Sequence, residues 1–271
     1  MTPLPSVAAV YEQLAEAKRV GSMMTNFYPT PEKLQRWIAG GDLFSMTAGK
    51  VLFVLRRDRD FLHLSYIASR PAELAAALRE LVESARDTLT VDVLGKEHQV
   101  HEIAEVFVAA GFHSHQVLHR MTRTTDGTSL PPATEDSEVV FAGAGDGAVL
   151  AGMLEGELDR FAEQIPDAEE MTRAAAERKI LVIRSETGIE GLLFFEATGQ
   201  SSLLRHWVVD GAHRDRRVGA RLMRRYFAEC KDVRRFTLWV ISDNDNAIDR
   251  YKHYGYQQDG LIDQVLMRRA V

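Results

Sequence analysis

The sequence predicts an α/β protein made of two copies of one unit in tandem. Residues 1–123 and 138–271 repeat the same order of helical and strand-like segments, and the segment 107–112 corresponds to the segment 251–256 near the end of each copy. Between the copies, residues 124–137 are polar, proline-containing and aperiodic, which is typical of a linker. We therefore predict two domains joined by this linker.

The first half alternates helical periodicity with runs of β-branched and aromatic residues. Pro31 and Pro71 suit the first position of a helix, and Leu74, Leu78 and Leu81 share one face of the helix that Pro71 opens. The predicted helices are 7–20, the segment from Pro31 to the glycines at 40–41, the segment from Pro71, and 100–110, and the predicted strands are 43–47, 51–56, 61–68, 89–94 and 117–122.

The second half repeats this order. The predicted elements are a strand at 139–142, a helix at 148–164, a helix opened by Pro166, strands at 180–184, 192–196 and 203–209, an arginine-rich helix around 221–227, a strand at 236–241, and a closing strand that contains Met267.

The composition is that of an ordinary folded chain. Its 271 residues carry a formal net charge of −6, which argues against a protein dedicated to coating nucleic acid. Cys230 is the single cysteine, and the pairs His98/His101 and His113/His115 lack further ligands at metal-binding spacing, so we expect no metal. Without a signal-peptide pattern or a long apolar run, we expect a cytoplasmic protein with no membrane partner; the oligomeric state stays open.

The stretch 203–256 contains a predicted anion site. A strand at 203–209 leads through a turn into the basic segment Arg-Asp-Arg-Arg-Val-Gly-Ala at 214–220, which opens a helix. The free N–H groups and the positive dipole end of a helix N-terminus favour an anion such as a phosphate.

Two spaced motifs in this stretch resemble those of the GNAT acyltransferases. Residues 214–220 are similar to the family's pyrophosphate loop, Arg/Gln-x-x-Gly-x-Gly/Ala, with Arg217 in place of the first glycine. Residues 244–256 match its next motif, Asn-x-x-Ala-Ile-x-x-Tyr-x-x-x-Gly-Phe/Tyr, at every defined position. The resemblance implies two tandem GNAT-like domains, each a mixed, mostly antiparallel sheet flanked by helices.

The resemblance also implies how acetyl-CoA, the expected co-substrate, is held. Backbone N–H groups and arginine charges would bind its pyrophosphate, Asn244 would lie near its pantetheine arm, and a main-chain N–H of the splayed strand 203–209 would bind the thioester carbonyl. The residues implied on this donor side are Val208, Val209, Arg214, Arg216, Arg217, Val218, Gly219, Ala220 and Asn244.

Tyr251 matches the family's tyrosine that protonates the departing thiolate, because a neutral phenol can deliver a proton over one hydrogen bond. The alternatives are that Tyr251 is a core residue on the apolar face with Ile248, and that Asn244 is a helix N-cap, a role that is compatible with binding the cofactor. Many family members place a glutamate as general base at the start of this strand, where this chain has Leu203. His206 and Glu196 are the candidates that remain for the base; the alternatives are that both are ordinary strand residues and that an amine arriving through ordered water needs no single strong base.

The first half lacks both motifs. Val100 and Phe107 stand where the second half has Asn244 and Tyr251. We therefore predict a degenerate first half and an active second half that transfers an acyl group from acyl-CoA to a primary amine. The alternative is a non-catalytic acyl-CoA sensor. A minor alternative is a mycothiol synthase, an enzyme that also resembles a tandem GNAT protein.

Overall fold

The structure is a computed structural model that describes residues 1–4, 6–19, 23–125, 136–186, 188–212 and 217–270. By its internal contacts the chain divides into two units, Met1–Leu118 with Gly260–Val271, and His119–Asp259. Most of the linker predicted at 124–137 lies outside the described residues.

The first unit is a mostly antiparallel sheet with helices on both faces. Its sheet has the order β1–β3–β4–β5–β6–β13, with β2 against β5, and only the β5–β6 pair is parallel. Its elements are β1 (Thr2–Pro3), α1 (Val7–Arg19), β2 (Met24–Thr25), α2 (Pro31–Ala39), β3 (Leu43–Ala48), β4 (Val51–Asp58), β5 (Phe61–Ala68), α3 (Pro71–Ser84), β6 (Thr88–Lys96), α4 (Glu97–Ala109), the first part of β7 (His113–Thr124), and most of β13 (Gln257–Arg268).

The second unit repeats this plan. Its sheet has the order β7–β12–β11–β10–β9–β8, in which β8 to β11 pair antiparallel and β11 pairs parallel with β12. Its further elements are β8 (Val139–Phe141), α5 (Gly147–Glu157), α6 (Ala168–Ala176), β9 (Ile180–Ser185), β10 (Gly188–Thr198), β11 (Ser201–Val209), α7 (Val218–Glu229), β12 (Arg235–Ile241) and α8 (Asp245–His253).

The helices of the second unit cover opposite faces of its sheet. Leu222 and Phe227 of α7 and Ile248 of α8 pack in one core against one face. Leu154 of α5 and Met171 of α6 pack in a second core against the other face. Burial of these apolar side chains is the main force that holds the helices to the sheet.

The last strand completes the sheet of the first unit. Residues 261–268 of β13 pair antiparallel with residues 89–96 of β6. From the sequence repeat we predict a second domain at 138–271, which includes this strand. The division by internal contacts instead assigns Gly260–Val271 to the first unit. Periodicity identifies a strand and its buried face, but it does not identify the neighbour with which the strand pairs.

The prediction of one helix over 148–164 is wrong for residues 158–164, because α5 ends at Glu157 and Leu158 has an extended backbone. Local side-chain bonds replace the helix there: the Asp159 carboxylate accepts from Phe161 N–H at 2.9 Å, and the Glu163 carboxylate accepts from Asp159 N–H at 2.8 Å. The next helix begins at Ala168 rather than at Pro166, with Asp167 as its N-cap.

The parallel strands of the first unit splay apart, and one side chain fills the gap. The β5–β6 pairing ends at His63 and Thr90, although both strands continue. Asn26 donates to Leu64 O at 3.2 Å and to Asp92 O at 2.8 Å, and it accepts from Tyr66 N–H at 2.9 Å. One amide of the chain therefore satisfies three backbone groups that the splay separates.

Asp263 on β13 lies in a buried setting beside Asp92 on the neighbouring β6. Asp263 is 9% exposed, and burial, followed by the negative charge of Asp92, raises its pKa well above the ordinary range. Folding therefore favours the protonated form of the Asp263 carboxyl group.

Asp263→Asn should make the protein more stable at pH 7. Because the folded pKa is raised, the favourable contribution of Asp263 is complete at acid pH and is lost as the pH rises above the unfolded value. We expect the free energy of unfolding in urea to rise by on the order of 1 kcal/mol or more at pH 7, and this gain to vanish near about pH 4. Asp232→Asn, at an exposed position, should have no effect, and an equal gain at both pH values would contradict this account.

Candidate active site

The parallel strands of the second unit also splay apart. β11 pairs with β12 only from Ser201 to Leu204, although β11 runs on to Val209. On its other side, the register against β10 shifts by one residue, so that Arg205 is an extra residue that bends β11 away. Within the part of the chain that the structure describes, no side chain bonds the backbone of 205–209, in contrast to Asn26 in the first unit. This opening therefore offers polar backbone groups to a ligand.

The helix α7 is the next α-helix in the sequence after the splayed strand β11, and its N-terminus follows the end of that strand by nine residues. Arg217 precedes the helix in the left-handed conformation, with φ of 56°, and makes no side-chain cap. Val218 is fully buried and anchors the turn, while the N–H groups of the first helical turn have no intrahelical partner. The arginines 214 and 216 lie outside the described residues.

Arg217→Gly should stabilise the protein relative to Arg217→Ala. The left-handed conformation costs a residue with a side chain about 1–2 kcal/mol, and glycine adopts it freely. Both variants remove the arginine charge, so the pair isolates the backbone effect. In denaturant titrations, glycine should give the higher free energy of unfolding by about 1 kcal/mol. An alanine variant as stable as the glycine variant would show that the turn carries no strain.

Gly219 lies against the indole ring of Trp207. A Cβ at this position would lie 2.9 Å from Cζ2 and 3.3 Å from Nε1 of the indole. The indole N–H is buried and has no hydrogen-bond partner within the ranges that the structure describes. The glycine is therefore required by the contact between α7 and β11, in addition to the close approach of phosphate to the backbone that the resemblance implies.

Asn244 and Tyr251 lie on α8. Asn244 caps the helix through its side-chain oxygen, which accepts from Ala247 N–H at 3.1 Å, so the cap does not use the amide NH2. Tyr251 is 9% exposed, and its ring lies 5.6 Å from the Trp207 ring and 5.9 Å from the Tyr256 ring. Burial, then the charge of Glu163, raises the pKa of Tyr251, so its hydroxyl stays protonated at neutral pH.

A family model described as an acetyltransferase (GNAT) domain matches residues 149–264. The match covers α7, the strand β12 and the whole segment 244–256. Residues 149–264 are therefore similar to a GNAT acetyltransferase domain, and this segment is called the GNAT domain below. No curated protein matches this sequence.

Solved structures extend the likeness beyond this GNAT domain. A tandem GNAT protein from the clavulanic acid biosynthesis pathway is similar over 100% of this chain and 98% of its own, with a TM-score of 0.59 and 15% identity. GCN5-related N-acetyltransferases from Kribbella flavida (87% and 92% covered, TM-score 0.57, 16% identity) and Sphaerobacter thermophilus (98% and 94%, 0.55, 16%) are also similar. At these identities the likeness shows the fold, and the predicted tandem GNAT-like fold is confirmed.

The two candidate bases of the GNAT domain have different surroundings. His206 on β11 is buried, and its Nε2 has no hydrogen-bond partner among the described residues. Burial, followed by the charge of Arg205, lowers its pKa to about 3. Glu196 on β10 accepts from Arg205 at 2.9 Å, and this arginine also lies 3.8 Å from Glu170. His206 is therefore a neutral imidazole, and Glu196 is a member of an ion-pair network.

Val208 and Val209 lie at the end of β11 on opposite faces of the sheet. Val208 packs in the core beneath α5 and α6, and Val209 packs beside the core beneath α7 and α8. The backbone groups between them lie in the splayed part of the strand, where the oxyanion-binding N–H was predicted.

Glu163 is a titratable residue that the sequence analysis missed, because the predicted helix ran through its position. It lies in the loop between α5 and α6 and is partly buried. Burial, together with the charge of Asp159, raises its pKa, although the hydrogen bond from Asp159 N–H lowers it. Its charge in turn raises the pKa of Tyr251, so the structure brings these two groups into one electrostatic environment.

Three other features of the chain concern metals, membranes and the single thiol. In the described ranges, no group of three or more His, Cys, Asp or Glu side chains could hold a metal ion. No helix in those ranges is long and apolar enough to cross a membrane. Burial raises the pKa of the Cys230 thiol to about 12, which keeps it in the unreactive protonated form.

Proposed function

We propose that the GNAT domain transfers an acetyl or other short acyl group from acyl-CoA to a primary amine of a small molecule or a peptide. The observation that carries this proposal is the difference between the two splayed strand pairs. In the first unit Asn26 bonds the separated backbone groups, whereas no described side chain does so in the GNAT domain. The open splay suits the amide groups of a pantetheine arm, which can donate and accept as Asn26 does.

The donor side would use the turn before α7. The N–H groups of Val218, Gly219 and Ala220 would bind the pyrophosphate, and the helix dipole would favour its charge. Arg217, together with the arginines 214 and 216, would add positive charge. Asn244 would offer its amide NH2 to the pantetheine arm while its oxygen caps α8.

The acyl transfer would proceed by direct attack of the amine on the thioester carbonyl carbon. A main-chain N–H near Val208 or Val209 would stabilise the negative charge that develops on the carbonyl oxygen. Tyr251 would donate its proton to the sulfur as the C–S bond breaks. His206, with an unpaired Nε2, could accept a hydrogen bond from the incoming amine, whereas Glu196 would first have to leave Arg205.

A second candidate function is an acyl-CoA sensor without turnover. The Arg205–Glu196 pair and the low pKa of His206 favour it, since neither expected base is ready to take a proton.

One experiment separates the two functions. Acetyl-CoA binding is measured by calorimetry, and release of free thiol is followed with a panel of amines that includes polyamines, amino acids, aminoglycosides and lysine peptides. Transferase activity predicts thiol release above the hydrolysis rate with at least one amine class. Binding of acetyl-CoA with no amine-dependent release would contradict the transferase and support the sensor.

A further inference from the structure

We propose that Glu163, in the loop between α5 and α6, is the general base that takes the proton from the attacking amine. This proposal rests on the proposed function.

The loop holds the Glu163 carboxylate in a defined position. Asp159 N–H donates to Glu163 Oε2 at 2.8 Å, and Glu163 N–H donates back to Asp159 O at 2.9 Å. These two bonds close the turn, and neither of them uses the other carboxylate oxygen of Glu163, Oε1. Ala162 and Ile165, on either side of Glu163, are 6% and 4% exposed and anchor the loop.

The loop is anchored on the sheet face that carries His206. Ile165 packs in the same core as Val208 and Phe194, and the ring of Phe194 lies 6.1 Å from the ring of His206. The loop that carries Glu163 therefore lies on the face of the sheet that α5 and α6 cover, and α7 covers the opposite face.

The charges around Glu163 suit a base. Asp159 lies on the same loop, and Tyr251 lies on α8 with Arg250 beside it; the charge of Glu163 acts on Tyr251. Burial raises the pKa of Glu163, which makes its carboxylate a stronger base than an exposed one. Of the three candidates described above, Glu196 is engaged by Arg205 and His206 is a weak base with a pKa of about 3.

The protons balance in such a reaction. Glu163 takes one proton from the amine nitrogen as the C–N bond forms, and Tyr251 gives its proton to sulfur as the C–S bond breaks. Transfer of the proton from Glu163 then restores the Tyr251 hydroxyl. Glu163 thus acts as the base and Tyr251 as the acid, because their surroundings give the two groups well-separated pKa values.

Glu163→Gln tests this proposal, because glutamine keeps the oxygen that accepts from Asp159 N–H and removes the basicity. With acetyl-CoA and the best amine of the panel, kcat should fall by about 10²-fold or more, and the acidic limb of the kcat/KM pH profile should disappear. The Kd for acetyl-CoA and the Tm should stay as in the wild type. Glu163→Asp should restore part of the activity, and Glu157→Gln, an exposed change at the end of α5, should have no effect.

The outcomes separate the two proposals. An active wild type whose Glu163→Gln variant keeps its rate and pH profile would overturn the role of Glu163 and leave the acyl transfer intact. Loss of activity with a lowered Tm and an unchanged pH profile would show that Glu163 only closes the loop, and would overturn the role as well. A wild type that releases no thiol with any amine would overturn both proposals.

Discussion

Replacing Tyr251 by phenylalanine should lower kcat for acyl transfer by about 10²- to 10³-fold and leave the Kd for acetyl-CoA nearly unchanged. The substitution removes only the hydroxyl, while the ring keeps its contacts with Trp207 and Tyr256. Because burial and the charge of Glu163 raise the pKa of Tyr251, the lost group is a protonated donor at any physiological pH. Steady-state kinetics and calorimetry on the same samples measure the two effects.

The matched control for this prediction is Tyr254→Phe. Tyr254 ends the same helix, and its ring lies 6.0 Å from Trp207, so the variant makes an equal chemical change close by. It should keep the wild-type kcat. Equal rates for wild type and Tyr251→Phe across the pH range would remove Tyr251 from the mechanism.

Gly219→Ala should weaken acetyl-CoA binding by about tenfold or more, which corresponds to about 1.4 kcal/mol. The new methyl group would lie 2.9 Å from the Trp207 ring, so either the ring or the first turn of α7 must move. Overpacking of this kind costs about 1–3 kcal/mol of stability. The same movement displaces the N–H groups that would bind the pyrophosphate, so we expect binding and stability to fall together.

A second substitution tests the cause of this loss. In the double variant Gly219→Ala with Trp207→Phe, the phenyl ring lacks the outer indole atoms that the methyl group would meet. It should bind acetyl-CoA more tightly than Gly219→Ala alone. Gly152→Ala, on α5 with no atom near the added methyl group, should bind as the wild type does. A Gly219→Ala variant with wild-type affinity would show that the Trp207 contact does not position the phosphate-binding turn.

The sequence predicted the order of elements and the fold, because each strand and helix carries its own local pattern. Pro31 and Pro71 begin α2 and α3 as expected, and Thr30 caps α2 through Lys33 N–H. The strand that contains Met267 was also expected, but its pairing with β6 was not. Pairing between distant strands depends on the packing of the whole sheet, which periodicity does not report.

The candidate site was predictable where a motif supplied spacing, and not where side chains from distant elements meet. Asn244 and Tyr251 lie on one helix as the motif implies. The Trp207 contact of Gly219, the ion pair of Glu196 and the position of Glu163 all depend on tertiary packing. Asp159 illustrates the difference: its local bonds ended a helix that the periodicity of 148–164 had extended over Glu163.

Calorimetric titration of acetyl-CoA into the full chain tests the central claim most directly. The first unit has its splayed strands bonded by Asn26, and its equivalent helix α3 begins with Pro71, which lacks an N–H. We predict one molecule of acetyl-CoA bound per chain, with the affinity reduced by Gly219→Ala. Two equivalent sites per chain, or binding that Gly219→Ala leaves intact, would contradict the assignment of the acyl-CoA site to the GNAT domain.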